Sequence, residues 1–323
     1  VLIDESAPVY LVRKDQLLAT APGTTFTPHF SSVAPTTGHF YGVWDDSDGV
    51  RVIFEHMDVM DLGFQLKAGD LDAYDRPLSP AACGFYNMGM APCSLSEVRF
   101  DPQTGAAERT ALFREDWTYN LELSAMDWST EGLTSPTLHH IAYQGWRPDA
   151  VSSRALGLYR AAGRVDQVPA EETPGVLATI RRDGLQLHDS YTYTDTSDHI
   201  SSPIFAPRQA GVDPHRSAYA GREPGGHDGY VVLPVLSDGG FRVEVFDASS
   251  VGRGPVAVLR APHGATLPAI LHSAWMPEAP VDAQVYDAER VTFADEISER
   301  TLERLDDELA DAIRLVAHEL QPG

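Results

Sequence analysis

The chain has 323 residues, of which 43% are hydrophobic and 22% charged. This is the composition of a folded globular protein, and it excludes collagen, a coiled coil and wholesale disorder. The 24 Lys and Arg are outnumbered by 47 Asp and Glu, which gives a formal net charge of −23. A surface this acidic repels phosphate backbones, so we expect no nucleic acid among the partners. No run is long and apolar enough to predict a membrane-spanning helix.

The two cysteines and the first residues bear on location. The chain has only two cysteines, Cys83 and Cys93, and a single disulfide would not stabilise a chain of this size. Their spacing also matches no zinc-binding pattern. We therefore expect reduced thiols, as in a cytoplasmic protein. The chain begins Val-Leu-Ile-Asp, with no initiator methionine and no signal-peptide pattern. Either residues have been removed or the sequence is a fragment.

Most of the sequence consists of short apolar or alternating segments separated by turn residues, which is the pattern of β-strands. The 26 glycines and 23 prolines are spread between these segments. The sequence predicts an all-β fold, as a sandwich, a barrel or a propeller, and the irregular strand–turn units favour a propeller with diverged blades. In chain order, the predicted strands include residues 50–54, 95–100, 156–159, 190–193, 230–233 and 241–246.

The carboxy-terminal segment departs from this pattern. Its apolar residues recur at steps of three to five, which predicts one amphipathic helix over residues 295–320, ended by Pro322 and Gly323. We expect a β domain at residues 1–280 and a helical extension at 281–323. The helix docks on the domain or, alternatively, mediates oligomerisation. The apolar stripe consists of Ile297, Leu302, Leu305, Leu309, Ile313 and Val316.

The twelve histidines are the candidates for chemistry. His139 and His140 are adjacent, and adjacent side chains on a strand point to opposite faces, so at most one of them faces any given site. His39 precedes a strand-like segment and His272 lies in an apolar, aromatic run, so each is either a core histidine or a metal ligand. Seven further histidines lie in polar or turn-rich segments, and most of them are expected to be solvated: His29, His56, His188, His199, His215, His227 and His318.

Five segments resemble motifs of the carotenoid cleavage oxygenases, in the family's order. The resemblance covers roughly residues 38–277 and is strongest after residue 201. The segments are 39–45, similar to His-x-x-Asn-Ala-Tyr-Glu; 202–208, similar to Glu-Pro-Ile/Val-Phe-Val-Pro-Arg; 227–230, similar to Asp-Asp-Gly-Tyr; 245–257, similar to the Asp-Ala to Pro-Val-Ala stretch; and 271–277, similar to Phe-His-Gly-x-Trp-x-Pro.

The resemblance implies a seven-bladed β-propeller with a non-haem Fe(II) held on its axis by four histidines, two of which correspond to His39 and His272. Neutral imidazoles suit this metal. The implied function is that of an O2-dependent dioxygenase that splits a conjugated double bond of a carotenoid, apocarotenoid or stilbene into two carbonyl products. The apolar substrate implies peripheral membrane contact, for which the uncharged residues 83–92 are the candidate patch.

The chain also departs from the family pattern. The family's chain is longer at its amino end, where its other two ligand histidines lie. Glutamates that hold the ligand histidines are replaced, since Ser202 stands at one position and Thr134 falls near another, and Gly42 replaces an asparagine. The propeller is therefore incomplete in this segment, or the chain is a divergent member with a changed iron site. The alternative function is a non-enzymatic propeller that binds an apolar ligand or a protein partner, and the oligomeric state is left open.

Overall fold

The structure is a computed structural model, and most of its described residues lie between residues 7 and 261. His39, His272, the extension at 281–323 and, apart from Cys83, the candidate patch at 83–92 lie outside the described residues. The described residues are 7–25, 27–33, 40–46, 49–56, 65–80, 83, 94–112, 114, 117, 124–125, 138–163, 168–207, 229–237, 240–261 and 273.

The described chain consists mainly of β-strands, as the sequence predicts. Two short helices interrupt them, α1 (Lys14–Ala19) and α2 (Ser153–Ala161). The strands are β1 (Ala7–Leu11), β2 (His29–Val33), β3 (Phe40–Asp46), β4 (Gly49–His56), β5 (Ser94–Phe100), β6 (Ala107–Leu112), β7 (Ser124–Ala125), β8 (Leu138–Tyr143), β9 (Val176–Arg181), β10 (Gln186–Thr192), β11 (His199–Ile200), β12 (Ile204–Pro207), β13 (Gly229–Ser237), β14 (Gly240–Asp247) and β15 (Ala257–Arg260).

Thirteen of the described strands form three antiparallel sheets, and each sheet is built from strands that are consecutive in the chain. Sheet I has the order β3-β4-β5-β6, and sheet II has the order β7-β8-β9-β10. In sheet III, β11 and β12 pair in tandem with β13, which is followed by β14 and β15. A separate pair, β1 and β2, forms a two-stranded antiparallel sheet. Each sheet thus places its strands in the order in which the chain makes them.

Sheet II is packed between the other two sheets, and its strand β8 is buried along its whole length. Because neighbouring side chains of a strand point to opposite faces, Ile141 and Tyr143 pack towards sheet I while Ala142 packs towards sheet III. A strand covered on both faces carries a nearly continuous apolar run, as β9 does, whereas β8 also includes the buried His139 and His140. The two apolar layers on either side of sheet II form the main core.

The first of these layers lies between sheets I and II, and the second between sheets II and III. On its other face, sheet I packs Phe54, Val98 and Phe100 against Val9 and Leu11 of β1. The layer towards sheet I comprises Tyr41, Ile53, Leu95, Trp117, Ile141, Tyr143, Val176, Ala178, Ile180 and Leu185. The layer towards sheet III comprises Ala125, Ala142, Leu177, Tyr193, Ile200, Phe205, Val231, Leu233, Val235, Phe246, Ala248 and Val251.

One predicted strand is wrong. Residues 156–159 lie in α2, whereas the other five predicted segments overlap β4, β5, β10, β13 and β14. The helix is capped by Ser152, whose side-chain oxygen accepts a hydrogen bond from the Ala155 N–H at 3.3 Å. Ala155, Leu156 and Tyr159 share one buried side at helical spacing. Four residues are too few to separate this spacing from that of a strand.

Two further expectations concern single features. Among the described residues, no helix is long and apolar enough to cross a membrane. Cys83 is exposed, while Cys93 lies outside the described residues, so the reduced state of the two thiols stays a prediction.

Candidate functional site

The two predicted iron ligands, His39 and His272, both lie outside the described residues, so the structure leaves their positions a prediction. Their chain neighbours are described: Phe40 begins β3, the first strand of sheet I, and Ser273 is half-buried.

Ser202 lies in the connector between β11 and β12, at the start of sheet III. Ser201, Ser202 and Pro203 are all buried, and Ser202 is 3% exposed. The Ser201 N–H donates a hydrogen bond to the Pro234 carbonyl at 3.0 Å, which ties the connector to β13. Ser202 is therefore held in the interior by its own sheet.

The motif segments that follow Ser202 lie on consecutive strands of sheet III. Phe205 on β12 is paired with Val231 on β13, and Tyr230 on β13 is paired with Asp247 on β14. A Cβ atom on Gly229 would lie 2.5 Å from Cζ of Phe205 and 2.6 Å from the Ala206 carbonyl oxygen. Only a glycine therefore lets the Phe205 ring cross β13 at this point.

The Phe205 ring in turn stacks on His140, one of the two adjacent candidate histidines on β8. The two rings are nearly parallel, with an interplanar angle of 8° and centroids 6.2 Å apart. The His140 Nδ1 lies 3.0 Å from Oγ1 of Thr179, within hydrogen-bond distance. His140 is fully buried, and its stacking partner Phe205 belongs to the layer between sheets II and III.

His139 points to the other face of the same strand, as the sequence predicts for adjacent histidines. It is almost completely buried. Burial, together with the nearby His140 and Arg182, lowers the pKa of His139 to about 3, so its imidazole stays neutral over the physiological range. The apolar residues around the pair, such as Leu138 and Ile141, were the sequence signal that both histidines lie in a strand buried on two faces.

Two of the histidines expected to be solvated are not. His56, at the end of β4, is 6% exposed, and His199 on β11 is only partly exposed. The His199 Nε2 lies 3.5 Å from Nε2 of Gln144, and burial followed by the charge of Arg147 lowers the pKa of His199. Their polar sequence neighbours suggested solvent, but strand pairing brings both into sheets. His29 and His188 are exposed as expected, and His215, His227 and His318 lie outside the described residues.

A buried charged cluster lies on the sheet III side and centres on Arg242. Its guanidinium donates to both carboxylate oxygens of Asp198, at 2.9 and 2.7 Å, and to Oε1 of Glu244 at 2.7 Å. Glu244 also accepts a hydrogen bond from the Tyr193 hydroxyl at 2.7 Å. These bonds raise the pKa of Arg242, and burial raises the pKa of Tyr193. We name Asp198, Arg242 and Glu244 the Arg242 cluster.

A second charged cluster lies on the sheet I side and has the opposite composition. Arg51 Nη1 lies 3.2 Å from Oε1 of Glu97, and Arg182 Nε lies 3.8 Å from Oε2 of the same carboxylate. Nearby, the Tyr41 hydroxyl donates to Oε2 of the buried Glu55 at 3.3 Å. We name Arg51, Glu97 and Arg182 the Glu97 cluster.

The described residues do not by themselves fit a four-histidine iron site. Among them, no three His, Cys, Asp or Glu side chains are grouped so that they could hold a metal ion. Ser202 has no negative charge with which to orient a ligand imidazole, although it stands where the resemblance has a glutamate. At position 202 the described interior therefore contains a neutral side chain where the resemblance has a carboxylate.

Comparison with known proteins gives a fold rather than a close relative. No family model and no curated protein matches the sequence. A single-residue variant of the Synechocystis apocarotenoid oxygenase is 12% identical and has a TM-score of 0.51, with 84% of this chain and 44% of that chain covered. A chimera of this oxygenase with RPE65 is 10% identical, with the same TM-score and coverage. A lignostilbene dioxygenase of Pseudomonas brassicacearum is 18% identical at a TM-score of 0.46, covering 77% of this chain and 44% of that chain.

The chain therefore has a carotenoid cleavage oxygenase-like fold over the matched residues, which confirms the fold family that the motifs indicate. The chain spans less than half the length of these solved structures.

Proposed function

We propose that the protein is a non-haem Fe(II)-dependent dioxygenase of the carotenoid cleavage type. Residues 1–280 contribute a β-propeller, and residues 281–323 form a helical extension. His39 and His272 are two of the iron ligands. The substrate is an apolar conjugated molecule of the carotenoid, apocarotenoid or stilbene class, and the protein acts in the cytoplasm with peripheral contact to a membrane.

The observation that carries this proposal is the arrangement of sheet III. Three segments that resemble the family's motifs, separated by up to about forty residues, lie on the adjacent strands β12, β13 and β14. Their mutual contacts use the motif residues themselves, since Gly229 makes room for Phe205. The motif order thus corresponds to one folded unit rather than to scattered similarity.

The sheet architecture supports the propeller. A propeller is built from four-stranded antiparallel meanders that pack face to face around a channel. Sheets I and II are four-stranded meanders in chain order. Sheet III has five strands in four positions, because β11 and β12 pair in tandem with β13. Both interfaces of sheet II are packed. Ser202 adjoins the first strand of its sheet, and His39 immediately precedes the first strand of sheet I. If the first strands surround the channel, Ser202 and the start of β3 lie beside it.

The proposed reaction consumes only the substrate and O2. The conjugated C=C bond breaks, each of its carbons gains one oxygen atom, and two carbonyl compounds form, so no further reductant is needed. Iron, when bound, would supply the activation of O2. The described part of the chain would contribute the dry, packed walls of the site.

The test is O2-dependent cleavage of an apocarotenoid and of a stilbene by the purified, Fe(II)-reconstituted protein, with the carbonyl products identified by mass spectrometry. His272→Ala is expected to abolish product formation because it removes an iron ligand. His188→Ala, at an exposed position of β10, is the matched control and is expected to leave the rate unchanged. An equal rate in His272→Ala and the parent protein would contradict the proposal.

A second candidate function is a propeller that binds an apolar ligand without cleaving it. The buried Ser202 favours it, because this serine replaces a carboxylate that the resemblance places next to a ligand histidine. Under this alternative, the protein would bind the polyene with unchanged absorbance over hours in air, with or without added Fe(II). Appearance of carbonyl products would exclude it.

A further inference from the structure

We propose that two copies of this chain associate head to tail, with the outer face of the β1–β2 pair of one copy packed on the outer face of sheet III of the other. The outer face of sheet III is the face turned away from sheet II, and that of the β1–β2 pair is the face turned away from sheet I. The inference goes beyond the proposed function, since it involves neither iron nor substrate.

The outer face of sheet III is apolar. Val231 and Phe246 face sheet II, so the alternate residues of β13 and β14 face outwards. An antiparallel sheet with one face in water alternates apolar and polar residues, whereas among the outward residues of β12 to β15 only Asp247 is charged. Leu236 and Leu259 on this face are 39% and 59% exposed. The outward apolar residues include Val232 and Leu236 of β13, Phe241, Val243 and Val245 of β14, and Leu259 of β15.

The outer face of the β1–β2 pair is a second apolar surface. Val9 and Leu11 pack on sheet I, so Tyr10 between them points outwards. Tyr10 is paired with Phe30 of β2, the two ring centroids are 5.5 Å apart, and the side chains are 61% and 57% exposed. Helix α1, which follows β1, buries none of its residues, and its Leu18 is 87% exposed. Large apolar side chains exposed together in this way mark an interaction surface.

A second copy fits both faces at once. The cores place the layers in the order β1–β2 pair, sheet I, sheet II, sheet III, and the exposure of Tyr10 and Leu259 shows that the first and last layers leave both side chains open within one chain. Two copies related by a two-fold axis would form two equivalent contacts, each of which joins one outer face of either kind. Such an assembly is closed and leaves neither face open.

The size of the fold and the charge of the chain favour the same partner. More than half of the length of the Synechocystis oxygenase variant and of the chimera has no counterpart in this chain, and a second copy would bring a comparable amount of sheet. The formal net charge of −23 makes copies repel each other, and the repulsion is weakest at faces that carry few charges.

The experiment measures the mass of the full, metal-free chain in solution by light scattering. The parent is expected at twice 35.2 kDa. Tyr10→Glu and Leu259→Glu are each expected at the monomer mass, because every contact then contains one altered face. An equimolar mixture of the two variants should regain the doubled mass, since one of its two contacts joins unaltered faces. Tyr74→Glu is the matched control, at a 49% exposed tyrosine outside both faces, and should stay dimeric.

Each other outcome overturns the proposal. A monomeric parent excludes the second copy as the partner. A dimer that survives Leu259→Glu joins two β1–β2 faces, one that survives Tyr10→Glu joins two sheet III faces, and a mixture that stays monomeric excludes the head-to-tail contact. If circular dichroism shows that a glutamate variant does not fold, Tyr10→Ser or Leu259→Ser takes its place and the same pattern is required. A dimer that cleaves no substrate refutes only the proposed function, and a monomer that cleaves refutes only this inference.

Discussion

The two interfaces of sheet II bury charge in opposite ways. Towards sheet I, one carboxylate, Glu97, lies between the guanidinium groups of Arg51 and Arg182. Towards sheet III, one guanidinium, that of Arg242, lies between two carboxylates, Asp198 and Glu244. The same contrast applies to the histidines, because the neighbours His139 and His140 on β8 point into different layers.

The difference shows which residue each interface depends on. In a cluster of three charges, the central group is paired twice, whereas each outer group is paired once with it. Removing the centre leaves two buried like charges without their common partner, and removing an outer group leaves the centre with one partner. The Arg242 cluster therefore depends on its arginine, and the Glu97 cluster depends on its glutamate.

The largest expected effect is that of Arg242→Leu. It leaves Asp198 and Glu244 buried without their cation, so we expect a loss of about 3–5 kcal/mol in the free energy of unfolding measured with urea. Arg51→Leu is the comparison, and it should cost clearly less because Arg182 still faces Glu97. The exposed pair of Arg13 and Asp15 provides a control, and Arg13→Leu should change little. Equal losses in Arg242→Leu and Arg51→Leu would contradict the comparison of the two clusters.

The next effect tests the packing of sheet III. Gly229→Ala places a Cβ against Phe205 and the Ala206 carbonyl, so we expect a loss of about 1–3 kcal/mol, the usual cost of overpacking. Gly157→Ala is the matched control, because it lies on α2 with no atom within 4 Å of the added Cβ. That change should stabilise the helix slightly. A neutral Gly229→Ala in urea unfolding would show that the Phe205 ring does not need this glycine.

The sheet I side can be tested by pH. The pKa of His139 is about 3 in the folded protein, below its ordinary value near 6.5, so between these values the unfolded chain binds more protons. Stability should therefore fall as the pH is lowered through this window, by up to about 1.4 kcal/mol per pH unit from this histidine. His139→Gln should flatten the profile between pH 6.5 and 4, whereas His188→Gln, at an exposed position, should not. A profile unaffected by His139→Gln would refute a neutral, buried His139.

The smallest expected loss in the free energy of unfolding concerns α2, which lies outside both interfaces of sheet II. It serves as a reference for the larger losses above. Ser152 caps α2 through its hydrogen bond with the Ala155 N–H. Ser152→Ala should cost about 1 kcal/mol in the free energy of unfolding, as the loss of a helix cap usually does. A loss as large as that of Arg242→Leu would show that Ser152 has a further role in the fold.

Much of the fold could be predicted from the sequence, because alternating patterns and turns define strands locally. Residues 230–233 and 241–246 were predicted as strands and form β13 and β14. The sequence predicts a strand at residues 156–159, which lie in α2, because a four-residue run does not distinguish helical from strand spacing. The burial of His56 and His199 was missed because it depends on strand pairing across the sheet.

The candidate site could be predicted only from the family resemblance, which rests on the order of five motifs along the chain. The apolar neighbours of His140 can indicate that it is buried, but they cannot identify its stacking partner Phe205, which lies 65 positions further along the chain. The charged clusters were missed for the same reason, as Arg242 meets Asp198 across 44 positions of the chain. His39 and His272 remain predictions of the resemblance.

The central claim is that His39 and His272 hold iron, and metal analysis tests it most directly. The purified protein is reconstituted with Fe(II) without oxygen, freed of unbound metal and measured by plasma mass spectrometry beside His39→Ala, His272→Ala and the exposed control His188→Ala. The account predicts bound iron in the parent and in His188→Ala and its loss in the other two variants. Equal iron content in all four proteins, or none in any, would contradict the account.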